Sequence, residues 1–409
     1  MTGGWEVGSR AGGGMWPGYD RIGPYGRSVR DVAMSWSAVL VRRLERHGLA
    51  TPLAASPAGV VRAMCGAHAQ VMSAGEVSVA LRLASGGREA VRAALWADHS
   101  LVKTVGPRGT VHLLPTADLP MWTGALSAVP PHSPFPDGVR LTPDQTGAVL
   151  AGLAAVLADA ELTVDELTVA LADTVGSWAA DPVMPAFQEL WPRWRQATAL
   201  AAHRGVLCFG PNRGRKVTYT SPRRWLPGLA PAPGGVGALL KAYLHAYGPA
   251  RPRDFAQWLA APQSWAVGVF ADLGDELQRV AVDGVEGWVV AGDVEVPAAR
   301  PAGLRLLPYF DAYVVGSHPR ERVYPGRAAV RALAGSQAGN FPVLLVDGVV
   351  AGVWHQKRSG KRLAVAVEPL EPLSAARRRE LAAQVDRVAG ILGGVPELTL
   401  GTVTVGAHA

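Results

Sequence analysis

The order helix, turn, helix, then two strand-like runs joined by a Gly-containing turn occurs three times in this sequence. After Pro301 the pattern changes to short alternating strands. Together these observations predict an α+β fold: three tandem winged-helix units followed by a small C-terminal β-barrel. The units are expected over residues 34–129, 139–228 and 236–298, and the barrel over 302–409.

The elements are justified in order. Residues 1–33 hold nine glycines mixed with Arg and Pro and without periodicity, so they read as a disordered leader. In the first unit Ser56-Pro57 reads as an N-cap with Pro at the first helical position, opening a helix that carries Val60, Val61 and Met64 on one face. Ser73 and Glu76 stand three apart ahead of Val77, Val79, Ala80 and Leu81, the spacing of a capping box. His68 and Gln70 then fall in the turn between two helices. A hairpin over 101–115 follows, turning at Pro107-Arg108-Gly109. The second unit has its capping box at Thr163 and Glu166 and a hairpin from Val206 that turns over 211–214. In the third, Pro252 opens a helix through Phe255 and Trp258, and a hairpin starts at Val280. Pro-rich stretches from Pro130 and Pro227 read as linkers. The last domain shows an Asp347-Gly348 turn, the strand RLAVAVEPL, a charged helix over 374–392 and a final strand.

With 409 residues, 49% of them hydrophobic, the chain has ample material for packed cores. The preference for Arg over Lys marks a high-GC bacterial genome. No apolar run approaches the ~18 residues needed to span a bilayer, and no secretory h-region is visible, so a cytoplasmic, nucleoid-associated protein is expected. Cys65 and Cys208 lie in apolar segments without CxxC spacing and read as buried thiols; no metal and no cofactor is implied. The net charge of +7 matters through its placement. Three turns gather it: Lys103 with Arg108, then Arg213, Arg215 and Lys216, then HQKRSGKR (355–362) with Lys357, Arg358, Lys361 and Arg362. Each has few acidic neighbours along the chain, which suits contacts to DNA phosphates. Trp178, Trp191, Trp194 and Trp225 are expected in the core, with stacking on a lesion as the lesser reading.

The segments RGTVHLLP from Arg108, FGPNRGRKVTY from Phe209, YLHAYGPARPRDFAQWL from Tyr243 and LLPYFDAYVVGSHPRERVYP from Leu306 occur in this order. In them the chain resembles the AlkZ/YcaQ-type bacterial DNA glycosylases, a family built from three winged helices and a C-terminal barrel. The resemblance spans about residues 36–395. It implies a catalytic Gln-x-Gln or Gln-x-Asp motif in the first unit; His68 and Gln70 occupy that place, so the first position departs from the pattern.

The implied reaction is hydrolysis of the N-glycosidic bond of alkylated purines in duplex DNA, chiefly bulky N7-alkylguanine adducts of a genotoxic natural product, as antibiotic self-resistance by a monomer. Gln70 could hold the attacking water through its amide oxygen, while a neutral His68, with an unperturbed pKa near 6.5, accepts the water's proton. On that reading the rate falls below roughly pH 6. No Lys accompanies the motif, so lyase chemistry is not expected. The plainer reading has His68 capping the preceding helix and Gln70 solvated. His112 either lines the lesion pocket or is a hydrogen-bonded structural histidine, and Asp311 and Tyr313 are expected to make fold-stabilising hydrogen bonds. The rival function is a non-catalytic winged-helix regulator that binds DNA or a drug.

Overall fold

The computed structural model describes residues 32–131, 135–185 and 189–408. Most of the expected leader lies outside the described residues, but its last two residues do not. Val32 and Ala33 belong to strand β1 (Val32–Met34), which pairs in parallel with a strand near residue 280.

Helix α1 (Trp36–Arg46) starts at Ser35, whose hydroxyl accepts from the Ala38 N–H. Helix α2 (Pro57–Ala63) starts at the expected Ser56 cap. Strand β2 (Ala67–His68), helices α3 (Met72–Ala80) and α4 (Arg88–Trp96), the hairpin β3 (Leu101–Val105) and β4 (Val111–Pro115), and helix α5 (Leu119–Ser127) complete this part. The expected capping box at Ser73 is not formed. The N-cap of α3 is Val71, without a side-chain bond, and Ser73 is already inside the first turn. Glu76 is buried and accepts instead from Arg88 Nε at 2.6 Å and Arg92 Nε at 2.8 Å on α4. Two guanidiniums bind a carboxylate more strongly than one backbone N–H does.

Next come α6 (Pro143–Val156), β5 (Leu162–Thr163), α7 (Val164–Val175), β6 (Pro182–Pro185), β7 (Leu190–Pro192), α8 (Thr198–His203), β8 (Cys208–Phe209) and β9 (Thr218–Thr220). The reciprocal cap of Thr163 and Glu166 opens α7 as the spacing predicts. The hairpins of these two parts do not stand apart. Lys103 pairs with Phe209, joining them into one six-stranded sheet in the order β2-β4-β3-β8-β9-β5.

The third part is α9 (Gly235–Tyr247), α10 (Pro252–Leu259), α11 (Gln263–Leu273) and the hairpin β10 (Leu277–Val282) and β11 (Val285–Val290). Its aromatic core, with Tyr243, Phe255 and Trp258, takes in Trp122 and Leu126 of α5, so the first and third parts are packed as one body.

The C-terminal region comprises β12 (Leu304–Leu307), the short helices α12 (Ala312–Gly316), α13 (Arg320–Val323) and α14 (Arg327–Ala332), β13 (Val343–Val346), β14 (Val349–Ser359), β15 (Arg362–Pro369), α15 (Ala375–Leu392) and β16 (Val395–Leu400). The strands form an open five-stranded sheet in sequence order, not the expected closed barrel. After β15 the chain crosses over through α15 and adds β16 in parallel at the far edge, away from β12. Leu381, Val385 and Val388 of α15 cover one face against Leu304, Leu306 and Val365. Tyr313, Tyr324 and Ala328 cover the other against Val343, Leu345 and Val353. Helices on both faces bury what a barrel would enclose.

This region is tied to the first by a buried ion pair. Arg82 meets Asp311 at 2.7 and 2.9 Å, and the Ser78 hydroxyl donates to the same carboxylate at 2.7 Å. Burial alone would raise the Asp311 pKa, but Arg82 and these hydrogen bonds hold it below the usual range. The Tyr313 hydroxyl donates to the Gly348 carbonyl at 2.8 Å, so both residues make the expected structural bonds.

Candidate active site

The turn before His68 comes earlier than the sequence suggests. Cys65 (φ 53°) and Gly66 (φ 90°) take left-handed conformations, and the chain is already extended at Ala67. His68 therefore lies in a strand opposite His112 of β4, and the Ala69 N–H donates to the Val111 carbonyl at 2.8 Å. His68 ends that two-residue strand, and Gln70 follows two positions on, in a bend. Helix α3 crosses closely behind: a Cβ at Gly75 would lie 2.7 Å from the His68 carbonyl, so that position requires glycine.

His68 is 8% exposed. Its Nε2 is held by the Arg108 guanidinium, which also donates to the Trp258 carbonyl at the end of α10. Arginine has no acceptor, so it donates to the Nε2 lone pair and leaves the ring proton on Nδ1, a buried atom without a partner among the described residues. The His112 ring lies 4.2 Å from that of His68, and its Nδ1–H donates to the Thr110 carbonyl at 2.8 Å. Burial, then His112, Arg108 and Arg320, push the His68 pKa well below 6.5. Burial and Arg108 push His112 down to about 3. Both imidazoles are neutral near pH 7, and the loss of rate expected below pH 6 moves to much lower pH.

Gln70 is exposed. Its Oε1 accepts from the Val111 N–H at 3.2 Å, which fixes the amide and leaves one oxygen lone pair and both N–H groups for other partners. It lines a cleft of about 690 Å³ between the first and second parts, faced by Val111, Trp191, Arg195 and Tyr219; His68 is not in that lining. The Arg195 guanidinium stacks 3.6 Å from the Trp191 ring centroid. Trp194 is fully buried and Trp178 and Trp225 pack against cores as expected, whereas Trp191 borders open space.

The basic residues divide. Lys103 sits in mid-strand with its ammonium 5.0 Å from the Phe209 ring centroid, and burial lowers its pKa. Arg213 meets Glu166 at 3.0 Å and Lys216 meets Asp165 at 2.6 Å, so this turn has acidic neighbours after all: they come from the first turn of α7, remote in sequence. Arg215 is exposed. Arg358 donates to the Leu392 and Gly393 carbonyls at the end of α15, at 2.7 and 2.8 Å, and Arg362 pairs with Glu397. Lys357 and Lys361 are exposed on the β14–β15 hairpin. Arg320 is a neighbour that the sequence did not single out; it donates to the carbonyls of Val314, Val315 and Ser317 while acting on His68 through space. Its setting in HPRER reads in sequence as ordinary surface charge. Among the described residues no group of three or more His, Cys, Asp or Glu could hold a metal, and no helix is long and apolar enough to cross a membrane.

Residues 61–391, a span that includes this site and most of the C-terminal sheet, match the AlkZ-like DNA glycosylase family. The chain belongs to that family. An interstrand DNA cross-link repair glycosylase of Streptomyces sahachiroi is 35% identical over 341 residues, covering 78% of this chain and 88% of the relative. The solved structure of the Streptomyces sahachiroi DNA glycosylase AlkZ superposes with a TM-score of 0.77 at 31% identity, covering 90% of this chain and all of that one. Membership in the AlkZ-like family makes this a DNA repair glycosylase, an enzyme whose substrate is DNA.

Proposed function

We propose that this AlkZ-like glycosylase is monofunctional and hydrolyses the N-glycosidic bond of alkylated purines in duplex DNA, with bulky N7-alkylguanine adducts of a genotoxic natural product as its substrates. The observation that supports the reading is that Gln70, two positions after the buried His68, opens on a cleft large enough for an adduct. N7 alkylation makes the base a cation and a good leaving group. Gln70, its amide fixed by Val111, holds a water against C1′. The C1′–N9 bond breaks with its electron pair leaving on the base, the water oxygen bonds to C1′, and the water's proton goes to His68 Nε2.

Arg108 regulates that last step by position. While it donates to Nε2 the lone pair is engaged. In the proposed reaction it swings to a DNA phosphate and exposes Nε2 to the water, so that duplex binding prepares the base. The three helix–helix–hairpin parts act as winged helices along the duplex, in a monomer that protects its host from its own alkylating product. The test is incubation with a duplex carrying one defined N7-alkylguanine. Released adduct, an alkali-labile abasic site and no borohydride-trapped complex are expected; an intact duplex would leave a DNA-binding regulator instead.

A further inference from the structure

A second cavity, of about 460 Å³, lies between the α10–α11 helix pair and the loop before α13. Arg251, Arg253 and Asp254 border it from α10 and its cap, Gln263 from the first turn of α11, and His318 and Glu321 from the opposite wall. Helix α11 begins at Pro262 without any side-chain cap, so the first N–H groups of an eleven-residue helix face this end. His318 is 4% exposed, yet its Nε2 has no hydrogen-bond partner among the described residues. An unpartnered imidazole nitrogen on a residue that lines the cavity and an uncapped helix terminus both ask for a ligand, and Arg253, with 56% of its side chain exposed, adds a cation.

The acidic groups do not cancel this arrangement. Asp254 accepts from the Arg251 backbone N–H and Nε at 2.9 Å and from Nη2 at 3.1 Å, which spends its charge within its own helix. Arg253 lies 3.9 Å from that already engaged carboxylate, and Glu321 is exposed to solvent.

We infer that this cavity seats a backbone phosphate of the DNA, held by Arg253, the N-terminus of α11 and the imidazole of His318. Amide groups at a helix start and a flexible guanidinium are the usual donors to phosphate oxygens, and the second helix of a helix-turn-helix pair presents its N-terminus to the duplex. The same helix α10 carries both this seat and the Trp258 carbonyl that holds Arg108. One rigid element thus sets the distance between a bound phosphate and His68, which registers the strand against the catalytic side chains. The inference rests on the DNA-acting reading of the chain but not on its cleaving any particular adduct.

The test is the affinity of the full chain for an undamaged duplex between about 50 and 200 mM salt. Arg253→Ala is expected to weaken binding and lower the salt slope by about one. His318→Leu is expected to weaken binding further, with thermal unfolding to verify that it folds; if it does not fold, the exposed Arg253 carries the test. An unchanged slope in Arg253→Ala overturns the inference. A slope that stays unchanged while inorganic phosphate raises the Tm of the wild type, but not of R253A, overturns it in favour of a free anion. A wild type that releases no base while R253A loses slope sinks the glycosylase proposal and leaves this one standing.

Discussion

Two basic hairpin turns that look alike in sequence end in opposite environments. Pro107-Arg108-Gly109 turns inward: Arg108 takes a left-handed backbone (φ 60°) and its guanidinium runs between His68 and the end of α10. The turn between β14 and β15 stays outside, with Lys357 and Lys361 in solvent and Arg358 and Arg362 tied to local partners. What separates them is the helix packed over the first. Without α10 to cover it, Arg108 would be one more surface cation; with it, the charge is buried against His68. Placement by a remote element, rather than the basic residue itself, decides which charge is buried and which stays in solvent.

That contrast can be broken from its inward side first. Asp311→Ala leaves Arg82 buried without its counter-ion and is expected to cost about 3–5 kcal/mol in chemical denaturation. A loss under about 1 kcal/mol would place this pair with surface bridges. Gln70→Ala and His68→Ala are each expected to slow adduct release roughly 10²- to 10³-fold in single-turnover assays, with duplex affinity nearly kept. Arg108→Ala should reduce the rate about 10²-fold through misplacement of His68 and also lower the salt slope of binding by about one. Arg108→Lys, which keeps the charge without the fork, should recover the slope but not the rate.

Acid provides a gentler probe. His47 and His112 are pushed by burial from 6.5 to about 3 in the folded chain. The unfolded chain therefore binds protons first as pH falls, so the stability these groups contribute is complete above pH 6.5 and is lost progressively towards pH 3. Each can contribute up to about 1.4 kcal/mol per pH unit in that window. Tm should fall steadily below pH 6.5, while the single-turnover rate stays level from pH 8 to about 6; a titration of that rate near pH 6.5 would show that His68 is not held neutral. The smallest effect belongs to the outer turn. Lys357→Ala and Lys361→Ala should each weaken duplex binding a few-fold at low salt, with base release unaltered once DNA saturates.

Much of the helical framework was legible in the chain. Ser56-Pro57, the Thr163/Glu166 box, Pro252 and the Asp347-Gly348 turn act through neighbours a few residues away, and each appears where the spacing places it. What failed depended on remote partners. Glu76 left its local cap for two arginines of α4, and α7 supplied carboxylates to Arg213 and Lys216. The barrel failed for a topological reason: alternation shows that strands have two faces, but only the crossover through α15 shows that the sheet ends open. At the candidate site, His68 and Gln70 were singled out through the family resemblance, whereas the guanidinium on His68 comes from a turn 40 positions on, set by helix packing that no local spacing records.

Helix α1 sits near the beginning of the chain, yet Arg43 donates to the His318 carbonyl 275 positions away and Leu44 packs beside Leu307. At a synthesis rate of roughly 5–20 residues per second, those partners leave the ribosome tens of seconds after the helix does. Throughout that interval its apolar stripe has nowhere native to go. This early helix is thus among the last elements to settle, and it fastens onto the C-terminal sheet like a clasp.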